Sequence, residues 1–168
     1  EDIFYKGNKW YYNPAGTAAR ALILDGVREI LDGYAVNGIQ FDDYFYPYPA
    51  ADQSGAIIPF DDRDTYARYG SSSTNIEDWR RENINSMIRD CFNAVHSTDV
   101  ECMFGVSPFG VWANDNGVNG GSATRNLEAY SELYCDALAW ARGGYVDYLS
   151  PQLYWQFTNE ISPFDVVM

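Results

Sequence analysis

The stretch that decides the fold runs from Gly38 to Pro49 and has the sequence GIQFDDYFYPYP. A short apolar run ends there in two adjacent aspartates, and four aromatic residues and two prolines follow. Polar side chains placed where a buried parallel strand stops are typical of the catalytic edge of a sheet. If Gly38–Phe41 belongs to such a strand, neighbouring segments should repeat the same pattern.

Strand-like and helix-like segments alternate along the rest of the chain. Between the predicted strands, apolar residues recur at three- and four-residue steps, which predicts helices over Ala19–Leu31, Ile84–Val95 and Tyr130–Ala141, and Tyr44–Thr74 is predicted to be a long polar loop. Turns before the strands are short and loops after them are longer, which indicates parallel βαβ units. The four predicted strands are Lys9–Pro14, Val36–Phe41, Glu101–Pro108 and Val146–Trp155.

Two architectures fit this order, a doubly wound sheet and part of a (β/α)8 barrel. No GxGxxG or GxxxxGK[ST] motif follows any strand, which disfavours nucleotide-binding folds and leaves no cofactor to expect. Polar residues at the strand ends favour the barrel instead. We therefore predict an α/β fold, a partial (β/α)8 TIM barrel of about four βα units. Because a whole barrel needs about 250 residues, residues 1–168 are expected to be a single fragment from its middle.

Composition excludes several classes of partner. The net charge of −13 would repel a polyanion, so we expect no nucleic acid. No apolar run is long enough to suggest a membrane span, and localisation stays open.

Three cysteines without a CxxC pair predict buried free thiols, and His96 is predicted to be a solvated residue at a helix end. Aromatic residues make up 17% of the chain, which suits a surface that stacks on sugar rings.

Asp42 and Asp43 are the only acidic residues predicted at the C-terminal end of a strand. Two close carboxylates push their pKa values apart, so one can keep its proton near neutral pH while the other stays charged. That division suits a general acid beside a charged stabiliser, and we name both as candidate catalytic residues. The structural alternative is that one of them closes a loop and pairs with Arg80 or Arg81.

Polar and aromatic residues near the strand ends are the candidate glycan-binding residues. The aromatic ones would form a platform for sugars, although they could simply cover the mouth of the barrel. The complete set is Asn13, Tyr44, Tyr46, Ser107, Trp112, Gln152, Tyr154 and Trp155.

At these residues the chain resembles the glycosyl hydrolase-like 10 family of bacterial barrel proteins. The segments that carry the resemblance are WYYNP, GIQFDDYFYP, FDDRDTYARYG, DWRRENIN, FGVSPFGVW and VDYLSPQLYW. The resemblance implies the third to sixth strands of the barrel, hydrolysis of a glycan, and an extracytoplasmic or cell-envelope location. For some members it implies action on peptide-free peptidoglycan strands. The family's first two and last two βα units have no counterpart in residues 1–168.

Two mechanisms follow from the resemblance. In the first, Asp42 or Asp43 is the acid after the fourth strand, and a second carboxylate lies beyond Met168. In the second, the 2-acetamido group of an N-acetyl sugar attacks the anomeric carbon, Asp42 orients it and Asp43 is the acid, or the reverse. Tyr154 could donate to the acetamide oxygen.

Three further expectations remain open. A non-catalytic carbohydrate-binding barrel fragment is the alternative function, and residues 1–168 by themselves are expected to be inactive. A cut barrel exposes strand edges, so self-association is expected. No metal is assigned, but calcium is an alternative for two oxygen-rich loops. Their candidate ligands are Asp61, Asp62, Asp64, Asn114, Asp115 and Asn116.

Overall fold

The computed structural model describes residues 3–71, 74–98, 101–115 and 120–168, which form a mixed α/β fold. Helices pack around a three-stranded parallel sheet, and a separate two-stranded hairpin precedes them. In chain order the elements are β1 (Ile3–Lys6), β2 (Lys9–Tyr12), α1 (Thr17–Gly33), β3 (Gly38–Phe41), α2 (Arg63–Tyr69), α3 (Ile76–Thr98), β4 (Met103–Val106), α4 (Ala129–Glu132), α5 (Ala137–Gly143), β5 (Tyr148–Leu149) and α6 (Phe164–Val167).

The parallel sheet has β4 in the middle, between β3 and β5. Gly38 pairs with Met103 at one end of the β3–β4 ladder, and Phe41 pairs with Val106 at the other. All three strands lie inside segments predicted to be strands, and they are parallel as expected. The described residues form no closed barrel.

The first predicted strand, Lys9–Pro14, is confirmed as a strand, but its expected place in the parallel sheet is wrong. It is β2, and it pairs antiparallel with β1 instead of joining the parallel sheet. The cause lies in the two residues between the strands, Gly7 and Asn8, which have φ values of 55° and 63°. Positive φ at both central residues is the geometry of a type I′ turn, which closes a tight hairpin. Three parallel strands are therefore present in the described residues, and not four.

The long helices pack as their periodicity predicts. The apolar face of α3 is buried at Ile84, Met87, Ile88, Cys91 and Val95. This face contributes to one core together with residues of α1 and the parallel sheet. Burial of these side chains removes apolar surface from water, which is the main stabilising term of the fold.

The third predicted helix, over Tyr130–Ala141, is broken into α4 and α5. Tyr134, between them, has a φ of 57°, a left-handed conformation that interrupts a helix. The predicted polar loop over Tyr44–Thr74 also differs, because it contains the short helix α2.

The predictions about the cysteines and about His96 had different outcomes. All three cysteines are free and buried, as predicted. His96 is not simply solvated, since its Nε2 lies 2.9 Å from Oδ2 of Asp147. The same carboxylate oxygen accepts a hydrogen bond from the backbone N–H of Phe104 at 2.6 Å. The contact therefore connects the end of α3 to the sheet, at the edge where β4 begins.

Within the described ranges, no helix has the length and apolar character that a bilayer span requires.

Candidate active site

The parallel strands bring polar residues together at their C-terminal ends. Asp42 and Asp43 follow β3 directly, and Ser107 follows β4. Beyond β5 the chain continues alongside the segment after β4, where Phe109 and Gln152 form a parallel bridge. Three segments distant in sequence therefore meet at one edge of the sheet.

Asp42 is the exposed member of the acidic pair. Its Oδ1 accepts a hydrogen bond from Nε2 of Gln152 at 2.6 Å and another from the backbone N–H of Asp43 at 2.8 Å. Gln152 also donates to the carbonyl oxygen of Ser107 at 3.1 Å. Gln152 thus orients the Asp42 carboxylate and joins all three strand ends.

Asp43 has a different environment, with only 2% of its surface exposed. Its Oδ2 accepts a hydrogen bond from the hydroxyl of Tyr48. Burial raises the pKa of Asp43 above its ordinary value, and the neighbouring Asp42 carboxylate adds to the rise, although the Tyr48 hydrogen bond opposes it. The two adjacent carboxyl groups therefore differ in exposure and in hydrogen-bond donor.

The two arginines considered as partners of this pair form ion pairs with other aspartates. Nε of Arg80 donates to Asp62 at 2.8 Å, and Arg81 pairs with Asp78 within α3. Since Arg80 and Arg81 have these partners, the alternative in which one of them pairs with Asp42 or Asp43 does not match the structure.

Aromatic side chains are present on the segments that follow β3, β4 and β5. Tyr44 is 79% exposed and Tyr154 is 83% exposed, so both present rings to solvent. Phe109 packs edge-on against Tyr48 and Trp155, with ring centroids 6.2 Å and 5.6 Å apart. Tyr48, which contacts Asp43, is therefore the first of three aromatic rings in contact, and two further rings are exposed.

Three of the candidate glycan-binding residues lie in the interior or in other contacts. Tyr46 is 1% exposed and packs edge-on against two aromatic rings, so its own ring faces the core. Asn13 is buried, and it donates to Thr65 and accepts from the backbone of Ala15. Trp112 donates to Asp136 at 3.2 Å and packs on Tyr130.

Tyr48 contacts the acidic pair, although the sequence pattern does not distinguish it from its neighbours. It stands among several tyrosines in YFYPYP, and nothing in that pattern tells which one turns back to the carboxylates. Its position between Pro47 and Pro49 was the available signal, because flanking prolines restrict the backbone that carries it.

Two of the residues considered for calcium, Asp62 and Asn114, use their oxygen atoms within the protein. Both carboxylate oxygens of Asp62 accept from Arg80, which supplies the positive charge that a metal would bring. Oδ1 of Asn114 accepts from Thr124 and from the backbone of Asn126. Asn116 lies outside the described residues. Within the described ranges, no three His, Cys, Asp or Glu side chains are grouped closely enough to hold a metal ion.

Comparison with known proteins gives one consistent result. The family model described as Glycosyl hydrolase-like 10 matches residues 3–168. The chain is 36% identical over 163 residues to a protein named glycosyl hydrolase YngK of Bacillus subtilis, covering 96% of the chain and 31% of that protein. It is 36% and 35% identical to proteins named glycosyl hydrolase DigH of Escherichia coli and Shigella flexneri, covering 96% of the chain and 35% of each protein. The chain therefore spans about a third of the length of these relatives. It belongs to the glycosyl hydrolase-like 10 family.

Proposed function

We propose that the chain is part of a glycoside hydrolase that cleaves O-glycosyl bonds, with Asp42 and Asp43 as its catalytic carboxylates. The observation that carries the proposal is the division between the two residues. Asp42 is exposed and held by Gln152, whereas Asp43 is buried, has a raised pKa and accepts from Tyr48. A general acid needs a pKa raised toward the working pH, and its partner must stay ionised. The names of the relatives support the same class of reaction.

The proposed setting is a (β/α)8 barrel completed by segments outside residues 1–168. The strands β3, β4 and β5 lie side by side in chain order, as consecutive barrel strands do. Acidic and polar side chains gather at their C-terminal ends, which is where barrel enzymes carry their active sites. A doubly wound sheet would reverse its strand order at the site, and no reversal occurs among the three described parallel strands.

The substrate in this proposal is a glycan that contains N-acetyl sugars, of the bacterial cell-wall type. Asp43 protonates the leaving oxygen, and Asp42 orients the 2-acetamido group that attacks the anomeric carbon. Tyr44, Tyr154 and Trp155 stack on the sugar rings. A second carboxylate elsewhere in the complete protein is the rival source of the nucleophile.

The direct test uses the complete natural protein that contains this chain. Replacing Asp42 or Asp43 with Asn should lower the rate of glycan cleavage by about 10²-fold or more, because each role contributes that much to the reaction. Asp32→Asn, an exposed change on α1, is the matched control and should leave the rate unchanged. Cleavage that survives both active-site changes would show that the pair is not catalytic.

The source of the nucleophile needs a separate test. A substrate whose acetamido groups have been removed to leave free amines cannot supply the neighbouring nucleophile. Loss of cleavage on this substrate, with binding retained, supports participation of the acetamido group. Equal rates on both substrates would favour a carboxylate nucleophile outside residues 1–168.

A further inference from the structure

The only two lysines in the chain face each other in the β1–β2 hairpin. Lys6 and Lys9 are register partners that flank the tight turn. Like charges directly opposite each other on antiparallel strands destabilise the pairing. A nearby negative charge would remove this repulsion.

Lys6 also has a largely buried side chain without a counter-charge among the described residues. Only 6% of its surface is exposed, although its ammonium nitrogen is not one of the fully enclosed polar atoms. Burial lowers the pKa of Lys6, and the positive charge of Arg80 lowers it further. A partly desolvated ammonium without a counter-charge costs free energy, which a bound anion would offset.

Lys6 and Lys9 line a cavity of about 390 Å³ between the hairpin and the segment Tyr44–Ala50, which follows the acidic pair. Its walls include the rings of Tyr11, Tyr44 and Tyr48, and Tyr48 donates to Asp43. Among the described residues that line this cavity, none is acidic, although the chain as a whole has a net charge of −13. The cavity is therefore a local positive region with aromatic walls in an otherwise acidic protein.

We propose that Lys6, with Lys9 beside it, binds a carboxylate group carried by the ligand, so that the preferred glycan contains an acidic sugar. The proposal rests on the proposed function, which places a glycan in the groove beside Asp43. An acidic sugar matches both parts of the cavity, because its ring stacks on tyrosine and its carboxylate reaches the lysines. The ligand's charge then pairs with the ammonium group that the described residues leave unpaired.

The test measures binding to the complete natural protein, with D-glucuronate as the probe and D-glucose as its neutral counterpart. Glucuronate should bind more tightly than glucose, and Lys6→Met should weaken glucuronate binding by about thirty-fold or more while leaving glucose binding unchanged. Arg142→Met, an exposed change on α5, is the control and should leave both affinities unchanged. Equal binding of the two sugars, or an unchanged glucuronate affinity in Lys6→Met, would overturn the proposal.

Two further arms make the result specific. Acetate should bind much more weakly than glucuronate, and equal affinities would overturn the sugar part of the proposal. In Asp43→Asn, glucuronate binding should persist although cleavage is lost. Lys6-dependent binding in a protein that cleaves no glycan would therefore refute the proposed function and support the lysine site.

A separate readout is stability. Lys6→Met without ligand should raise the melting temperature, because it removes a charge that burial disfavours.

Discussion

At the scale of single residues, the site depends on how one carboxyl group differs from its neighbour. Asp42 and Asp43 are adjacent, and yet only Asp43 is enclosed by the protein. The chain bends at Asp43 after β3 ends, and this side chain is enclosed while Asp42 stays exposed. The two carboxyl groups remain close enough for Asp42 to raise the pKa of Asp43. This difference is what a pair with an acid role and a charged role requires.

The raised pKa of Asp43 makes a prediction about stability. The folded protein binds this proton more tightly than the unfolded chain, so stability falls as pH rises from the ordinary pKa of aspartate through the raised value. Asp43→Asn should therefore be more stable than the natural protein at neutral pH, and the difference should vanish at about pH 3, where the carboxyl is protonated in both states. Thermal melts at the two pH values measure this.

Asp32→Asn is the control for the change in net charge, because Asp32 is exposed. It should change stability much less than Asp43→Asn at neutral pH. A destabilised Asp43→Asn at neutral pH would mean that the ionised carboxylate supports the fold, contrary to its burial.

A second prediction concerns the donor of the Asp43 hydrogen bond. Tyr48→Phe removes the only side-chain donor to Asp43 found among the described residues, so the pKa of Asp43 should rise further. Carboxyl ¹³C NMR titration of the complete protein measures the shift. Tyr44→Phe is the matched control, because Tyr44 is 79% exposed and should leave the Asp43 titration unchanged. An unchanged Asp43 titration in Tyr48→Phe would contradict the role given to Tyr48.

At the scale of elements, one buried ion pair fastens the long loop after β3 to helix α3. Asp62 and Arg80 are 1% and 9% exposed, and Arg80 also donates to the Tyr134 hydroxyl at 2.7 Å. Its guanidinium lies 5.5 Å from the centre of the Phe60 ring and 4.9 Å from that of Tyr134. The pair therefore joins the loop, α3 and the segment between α4 and α5.

Breaking this pair should be costly. Arg80→Met leaves Asp62 as a buried, uncompensated charge, and we expect a loss of about 3–5 kcal/mol in the free energy of unfolding. Urea denaturation measures it. Arg28→Met breaks the exposed pair with Asp25 and should cost less than about 1 kcal/mol. The double change Arg80→Met with Asp62→Leu should recover much of the loss, and a double mutant no better than Arg80→Met would contradict this account.

Two glycines give a matched test of backbone conformation at a helix end and inside a helix. Gly144, which caps α5, has a φ of 66°, whereas Gly26 lies inside α1, and a Cβ would meet nothing within 4 Å at either position. Gly144→Ala should destabilise by about 1–2 kcal/mol, because alanine is strained in the left-handed region. Gly26→Ala should stabilise by about 0.5–1 kcal/mol, since alanine favours the helix. Urea denaturation of both variants decides it, and equal effects would contradict the assigned backbone conformations.

At the scale of the whole molecule, the parallel sheet of the described residues has an unpaired strand edge on each side. Both β3 and β5 are edge strands of the described sheet, and the outer face of the hairpin exposes Ile3, Tyr5, Trp10 and Tyr12. Unpaired strand edges and exposed apolar faces promote association. In the proposed barrel, flanking segments would cover these surfaces.

We therefore predict that residues 1–168, prepared by themselves, form dimers or larger species whose fraction rises with concentration. The complete natural protein, in which a barrel would close, should not do so through these surfaces. Light scattering coupled to size exclusion measures both. A monodisperse monomer of residues 1–168 over a wide concentration range would contradict the prediction.

The sequence by itself determined the features that depend on near neighbours along the chain. Apolar periodicity placed α1, α3 and the three parallel strands, and the end of an apolar run located Asp42 and Asp43. The hairpin turn at Gly7–Asn8 was a signal of the same local kind, and it was missed because KWYYNP also suits a parallel strand.

Only the tertiary structure decided which side chains meet and which are buried. Gln152 donates a hydrogen bond to Asp42 across a separation of 110 residues, and Arg80 pairs with Asp62 instead of the acidic pair. The Tyr46 ring is buried, whereas the Tyr48 hydroxyl donates to Asp43. The physical reason is that burial and hydrogen-bond partners depend on how distant segments pack, which no local pattern encodes.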